Sequence, residues 1–185
     1  MAENSQAKDS YLEGRRLEAA ARKQNSPGAW LEFAAVKAAK GSYALAAMGY
    51  LNAGGLAEAV GDKAQAAAAY ERGIAVCSKG GLKEVALILV SRLAALLERA
   101  SDFSGAAAVY ESFVLFCEAA GAFFLAADAG EHAAELRRAA GEDLSSYRKP
   151  AELWLRNAEY WKDKNAGDEA WSRRRAELYL EAVKK

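Results

Sequence analysis

Few side chains in this sequence are of a type and spacing that could perform chemistry, and each fails on its partners. His132 is the single histidine of 185 residues and lies in the run Glu131-His132-Ala133-Ala134-Glu135. A helical metal site needs a second His or a Glu-x-x-His spacing to put two ligands on one face, and neither occurs. No metal is expected. Cys77 and Cys117 could be nucleophiles or a disulfide, but no histidine stands near either in sequence to activate a thiolate. On equivalent helices of adjacent hairpins they would be ~8–10 Å apart, beyond disulfide reach. Two reduced, packed thiols are expected. No G-x-x-x-x-G-K-S/T or G-x-G-x-x-G occurs, and Gly54-Gly55 and Gly80-Gly81 fall on a helix face and at a hairpin turn. The inventory predicts no cofactor and no enzyme.

What remains is binding chemistry, carried by charged and aromatic side chains that helices must position. The chain has 25 Lys plus Arg against 25 Asp plus Glu, so no bulk positive field is available for a nucleic-acid backbone. Nucleic acid is not an expected partner. Forty-five alanines against two prolines favour helix nearly throughout. The polar stretch 1–10 does not read as a secretory signal, and no run approaches the ~20 apolar residues of a membrane span. With two cysteines and no such segments, a cytoplasmic protein without a transmembrane segment is expected.

A shift of forty residues superposes Gly41, Gly81 and Gly121, then Ala46, Ala86 and Ala126, then Leu56, Leu96 and Leu136. It also pairs Trp30 with Tyr70 and Tyr110, Asp62 with Asp102 and Glu142, and Cys77 with Cys117. Each period holds two apolar helical stretches, so each unit is a helix hairpin, and hairpins that share a core stack into a solenoid. The fold expected is an all-α α-solenoid of stacked antiparallel hairpins with about nine helices. They are placed near 6–24, 28–40, 42–60, 62–79, 82–100, 102–120, 122–140, 147–163 and 167–184. The glycines supply left-handed C-terminal caps, and Asp62, Ser101 and Asp102 are expected to cap helix starts. Tyr70 and Tyr110 are expected to fill the space between hairpins. The domain reading is a single unit, 1–185, with an N-terminal helix in 1–27, regular repeats in 28–143, and an irregular last repeat with a capping helix in 144–185.

Segment 50–77, with Gly54, Gly61-Asp62, Ala66, Tyr70 and Gly73-Ile74, resembles a tetratricopeptide repeat. Ala94, Ser101-Asp102, Ala106, Tyr110 and Phe113-Val114 repeat the pattern in the next unit. The forty-residue period is similar to the long-helix variety found in the soluble NSF attachment proteins, and the resemblance covers roughly 28–163. It implies a scaffold, adaptor or chaperone that binds a protein or peptide. It also implies that the first helix of each hairpin lines a concave groove.

Between repeats, one stripe of those first helices repeats and is read as core, while the other varies and is read as groove. The variable stripe supplies Asn52 and Glu58, then Arg92, Glu98 and Arg99, then Asp128, Glu131, His132, Glu135 and Arg138. Its floor shifts from apolar to acidic, so the expected partner is a helix or extended segment with apolar and basic parts. Some tetratricopeptide proteins hold a C-terminal carboxylate with Lys, Arg and Asn here. Asn52, Arg92 and Arg99 fit that clamp in part, and Glu98 opposes it. Charge reversal at Glu131, Glu135 and Arg138 is expected to weaken partner binding without loss of helix.

Three of the four tryptophans, Trp154, Trp161 and Trp171, follow residue 150, and residues 144–185 carry ten basic and seven acidic side chains. The face with Trp154, Ala158 and Trp161 and that with Trp171, Leu178 and Ala182 are expected to cap the stack. Trp171, Arg174, Arg175 and Tyr179 form a possible second interface, for homo-oligomerisation or partner docking. A structural oligomeriser built through these helices is the alternative to the adaptor.

Overall fold

A left-handed residue recurs every twenty positions along this chain, and it sets where each helix stops. Gly41, Gly61, Gly81, Gly121 and Gly141 have φ between +66° and +88°, and Ser101 takes the equivalent place at φ +60°. At each, the next residue's N–H reaches back five positions, as in Ser42 to Lys37 and Asp102 to Leu97, both at 2.9 Å. That is the Schellman termination, which favours glycine because a Cβ crowds the left-handed backbone. Ser101 is therefore not a helix-start cap: it is the left-handed closing residue, and Asp102 alone caps, accepting from Gly105 N at 2.9 Å. Asp62 caps in the same way through Gln65 N, and Ser26, ahead of Pro27, through Ala29 N.

The computed structural model describes the backbone of residues 2–184 and the side chains of residues 12–184, so those of the N-terminal polar stretch fall outside it. Among the described residues every regular element is helical. They are α1 (Ala2–Gln24), α2 (Pro27–Ala39), α3 (Tyr43–Ala59), α4 (Lys63–Gly80), α5 (Lys83–Glu98), α6 (Phe103–Ala119), α7 (Phe123–Ala139), a 3-10 turn (Leu144–Tyr147), α8 (Arg148–Trp161) and α9 (Ala166–Val183). Short turns fold successive helices back on one another as hairpins. The chain is an all-α helical repeat of the solenoid class. It divides into two compact units, Met1–Leu93 and Ala94–Lys185.

In the first unit α1 packs on α2, α2 on α3 and α3 on α4. Its core contains Ala21, Trp30, Phe33, Ala53 and Ala69, with Leu17, Met48 and Leu56 at its margin. Small residues set the helix spacing. A Cβ on Gly54 would run into the ring of Tyr70, so the tyrosine packs on α3 within its own hairpin, and it also lines the cleft toward Ile88 and Arg92 of α5 in the next one. A Cβ on Gly73 would meet Leu89 of α5 at 2.9 Å.

In the second unit α6 packs on α7, α7 on α8 and α8 on α9. Trp154, Ala151, Leu153 and Ala158 of α8 are buried. The face of α9 turned to the core carries Ser172 and Ala176, both fully buried, whereas Trp171 and Leu178 are 45% and 60% exposed. Trp171 packs edge-on against the buried Trp154, centroids 4.8 Å apart, and stacks on Phe124, so the aromatic end of the expected capping stripe covers α8 while Leu178 turns to solvent. The cause is close approach: Asn157 of α8 donates to Ser172 Oγ at 2.9 Å, a spacing that only small residues on α9 allow. Cys77 and Cys117 are buried and unbridged.

Candidate functional site

The residues of the variable stripe divide between the two units. In the first, α3 presents Leu51, Asn52, Gly55 and Leu56 toward α5, which presents Ile88 and Arg92. Together with Tyr70 they line a cleft of about 480 Å³. Gly55 leaves this floor open, since nothing lies within 4 Å of where its Cβ would be. A second cleft of about 380 Å³ is lined by Arg22, Asn25, Trp30, Asn52 and Leu56. Asn52 and Leu56 belong to both, so the clefts adjoin.

The polar groups around this trough are mostly donors: the guanidinium groups of Arg22 and Arg92 and the amides of Asn25 and Asn52. Arg22 is steadied by Glu18 at 2.8 Å and lies 5.9 Å from the centre of the Trp30 ring. The acid of the stripe here, Glu58, is half-buried and accepts the phenol proton of Tyr70. Its lone pairs serve the hairpin. Glu58 and Glu98 occupy equivalent places at the forty-residue shift, so the stripe read as variable contains a repeating acid, and its tyrosine follows twelve residues later at Tyr70 and Tyr110.

In the second unit Glu98, His132, Glu135 and Arg138 surround a hollow of about 270 Å³ with Phe103, Tyr110 and Leu136. His132 is exposed and stacks on Tyr110, with centroids 5.1 Å apart and planes 20° from parallel. The two rings make a flat plate beside Glu98. Glu135 accepts from the Tyr147 hydroxyl at 2.8 Å and pairs with Arg138 at 2.9 Å. Burial, then the bond to Glu135, pushes the Tyr147 phenol up. Asp128 is half-buried, Arg99 exposed. Among the described residues no group of three or more metal-ligating side chains converges.

Glu131 does not belong to this hollow. It is only 8% exposed and takes the fork of Arg175, Nε at 2.6 Å and Nη2, together with the indole N–H of Trp154. The bond to Glu131 raises Arg175, and burial pushes the Tyr179 phenol well up, with Glu131's charge adding to it. Tyr179 packs its ring on Tyr147 with centroids 5.4 Å apart. Two members of the expected second interface, Arg175 and Tyr179, are therefore turned inward, Trp171 packs on Trp154 and Phe124 with an edge left exposed, and Arg174 alone is fully at the surface. The acid and its arginine share one polar lock joining α7, α8 and α9, because a carboxylate so little exposed needs a cation and donors around it. Reversing charge at Glu131 would set two cations together and loosen the fold, which removes the expectation that the triple reversal leaves the helices untouched.

Two features escaped the sequence. Arg22 and Asn25 precede the first repeat and so were invisible to a comparison between repeats, and Trp30 was read there only as the counterpart of Tyr70 and Tyr110. The other is a cavity of about 620 Å³ in the second unit, floored by Val114, Leu115, Ala133 and Ala134 and rimmed by Arg137, Ser145 and Arg148. It forms where the extra residues between Gly141 and Pro150 lift the fourth period. Arg137 is forked onto Glu111 at 2.9 and 2.8 Å and reaches Glu142 at 3.0 Å, so its charge is already matched.

No protein-family profile matches the chain, and no curated protein matches it. Among solved structures, the crystal structure of BtubC (BKLC) from P. vanneervenii is similar over 97% of this chain and 90% of that one, at 16% identity and a TM-score of 0.32. A similarity at that level bears on neither fold nor function.

Proposed function

We propose that this tetratricopeptide-like chain is a non-catalytic adaptor or scaffold that holds a segment of a partner protein on its α3 and α5 face. The observation that carries the reading is the pair of adjoining clefts sharing Asn52 and Leu56. Their combination of apolar floor and a few fixed polar groups is that of a recognition site. Leu51, Leu56 and Ile88 accept aliphatic or aromatic side chains. Asn25, Asn52 and Arg92 bond the carbonyl or acidic groups that flank them. Ile88 is 49% exposed, so a partner that covers it gains burial that the chain alone does not provide. In the second unit, the Tyr110–His132 plate beside Glu98 suits a basic side chain, which stacks on aromatic faces and pairs with carboxylates.

Selection of peptides from a displayed random library against the purified chain tests the reading. Peptides with an apolar anchor are expected, and their affinity should fall about tenfold or more in Ile88→Asp, which leaves a desolvated carboxylate at the contact. A library that yields no binder, or binders that ignore Ile88→Asp and Arg92→Glu in variants with unchanged circular dichroism, overturns it.

A further inference from the structure

The outer face of α9 is a surface of a different kind. Its inner face is spent on Ser172, Ala176, Arg175 and Tyr179, and the outer face carries Trp171, Arg174, Leu178 and Glu181 at spacings of three, four and three residues, with Trp171 at its edge and its ring packed on Trp154 and Phe124. That spacing puts the four on one stripe of a helix. Of the three consecutive arginines, Arg173 pairs with Glu169 at 2.9 Å and Arg175 with Glu131. The middle one, Arg174, forms no salt bridge among the described residues, and neither does Glu181. Leu178, 60% exposed, thus stands one turn from two opposite charges that are free to pair outside the chain, and the half-exposed edge of Trp171 lies one turn beyond Arg174.

The order of these residues reads as its own complement when reversed. A two-fold axis near Leu178 sets two copies of α9 antiparallel, with Leu178 against Leu178. Arg174 of each copy then meets the Glu181 turn of the other. A parallel pairing would instead oppose Arg174 to Arg174. We infer that the outer face of α9 is an isologous interface through which two copies of this chain associate. The inference stands on α9 alone and is independent of the clefts on α3 and α5.

The test is the molar mass of the full chain by sedimentation equilibrium from micromolar to millimolar concentration. Wild type should show a reversible dimer. Arg174→Glu and Glu181→Arg, each placing like charges together, should each weaken it by about tenfold or more. The double variant Arg174→Glu/Glu181→Arg, which restores opposite charges with the order inverted, should recover it. Leu178→Asp should give a monomer, and since all three positions are exposed, circular dichroism should not change. A wild type monomeric at every concentration overturns the inference. So does a dimer indifferent to the single variants, which would place self-association on another face, or a double variant no better than the singles.

Discussion

Removing the acid of the polar lock should cost the second unit a large part of its stability, because Glu131 satisfies two other helices at once. In Glu131→Ala the indole N–H of Trp154, a residue only 1% exposed, loses its acceptor, at about 1–3 kcal/mol. The removed γ-methylene contributes about 1 kcal/mol of lost burial. Arg175, whose side chain is 41% exposed, can turn to water, so its lost pairing adds only ~0.5 kcal/mol, the scale of a surface pair and not of a buried one. The sum is about 2.5–4.5 kcal/mol. Glu131→Gln keeps the acceptor and the volume and should lose about 1 kcal/mol. Arg175→Met leaves the carboxylate with the indole and the Tyr179 phenol but no cation and should lose about 2–3 kcal/mol, below the range for a fully buried charge. Because both changes remove one interaction, the double variant Glu131→Gln/Arg175→Met should lose less than the two singles together. Urea unfolding followed by circular dichroism and tryptophan fluorescence gives these values. Glu131→Ala within ~0.5 kcal/mol of wild type, the range of an ordinary surface substitution, or strict additivity in the double variant, would refute the lock.

Adjacent glycines should respond with opposite signs. Gly54→Ala drives a Cβ into the buried Tyr70 ring, and an overpacking cost of about 1–3 kcal/mol outweighs the helix-propensity gain. Gly55→Ala meets nothing and should gain about 0.5–1 kcal/mol, both read by thermal unfolding. Ser101→Gly relieves a left-handed serine at φ +60° and should stabilise by about 0.5–1 kcal/mol in the same assay. Burial pushes the Cys77 thiol from 9.0 up to about 11. The unfolded thiol therefore ionises first, so stability should fall as pH rises through that window. The fall should be shallower in Cys77→Ala, measured by urea midpoints at each pH.

The turns were legible in the sequence because a left-handed cap leaves a chemical signature. Gly41, Gly61, Gly81, Gly121 and Gly141 declare it, and the helix ends follow to within two residues almost everywhere. Ser101 was misread because serine is also the commonest kind of helix-start side chain, and only the backbone angle separates the two roles. The exact facing of α9 was not legible. Trp171 does reach Trp154 of α8, but the smallness of Ser172 and Ala176 set the line of closest approach and left Leu178 outside. Glu131 looked like one more groove acid because its partner, Arg175, stands forty-four residues away, beyond any local pattern. The Glu58–Tyr70 bond was legible in principle, since the acid and the phenol recur together at Glu98 and Tyr110.

Hydrogen exchange of the full chain, with and without a saturating peptide taken from the display selection, locates the docking face. Slowed exchange is expected in Tyr43–Ala59 and Lys83–Glu98, the helices that carry Asn52, Leu56, Ile88 and Arg92. Protection confined to Ala166–Val183, or to the joint around Leu144–Tyr147, with α3 and α5 unchanged, would contradict it.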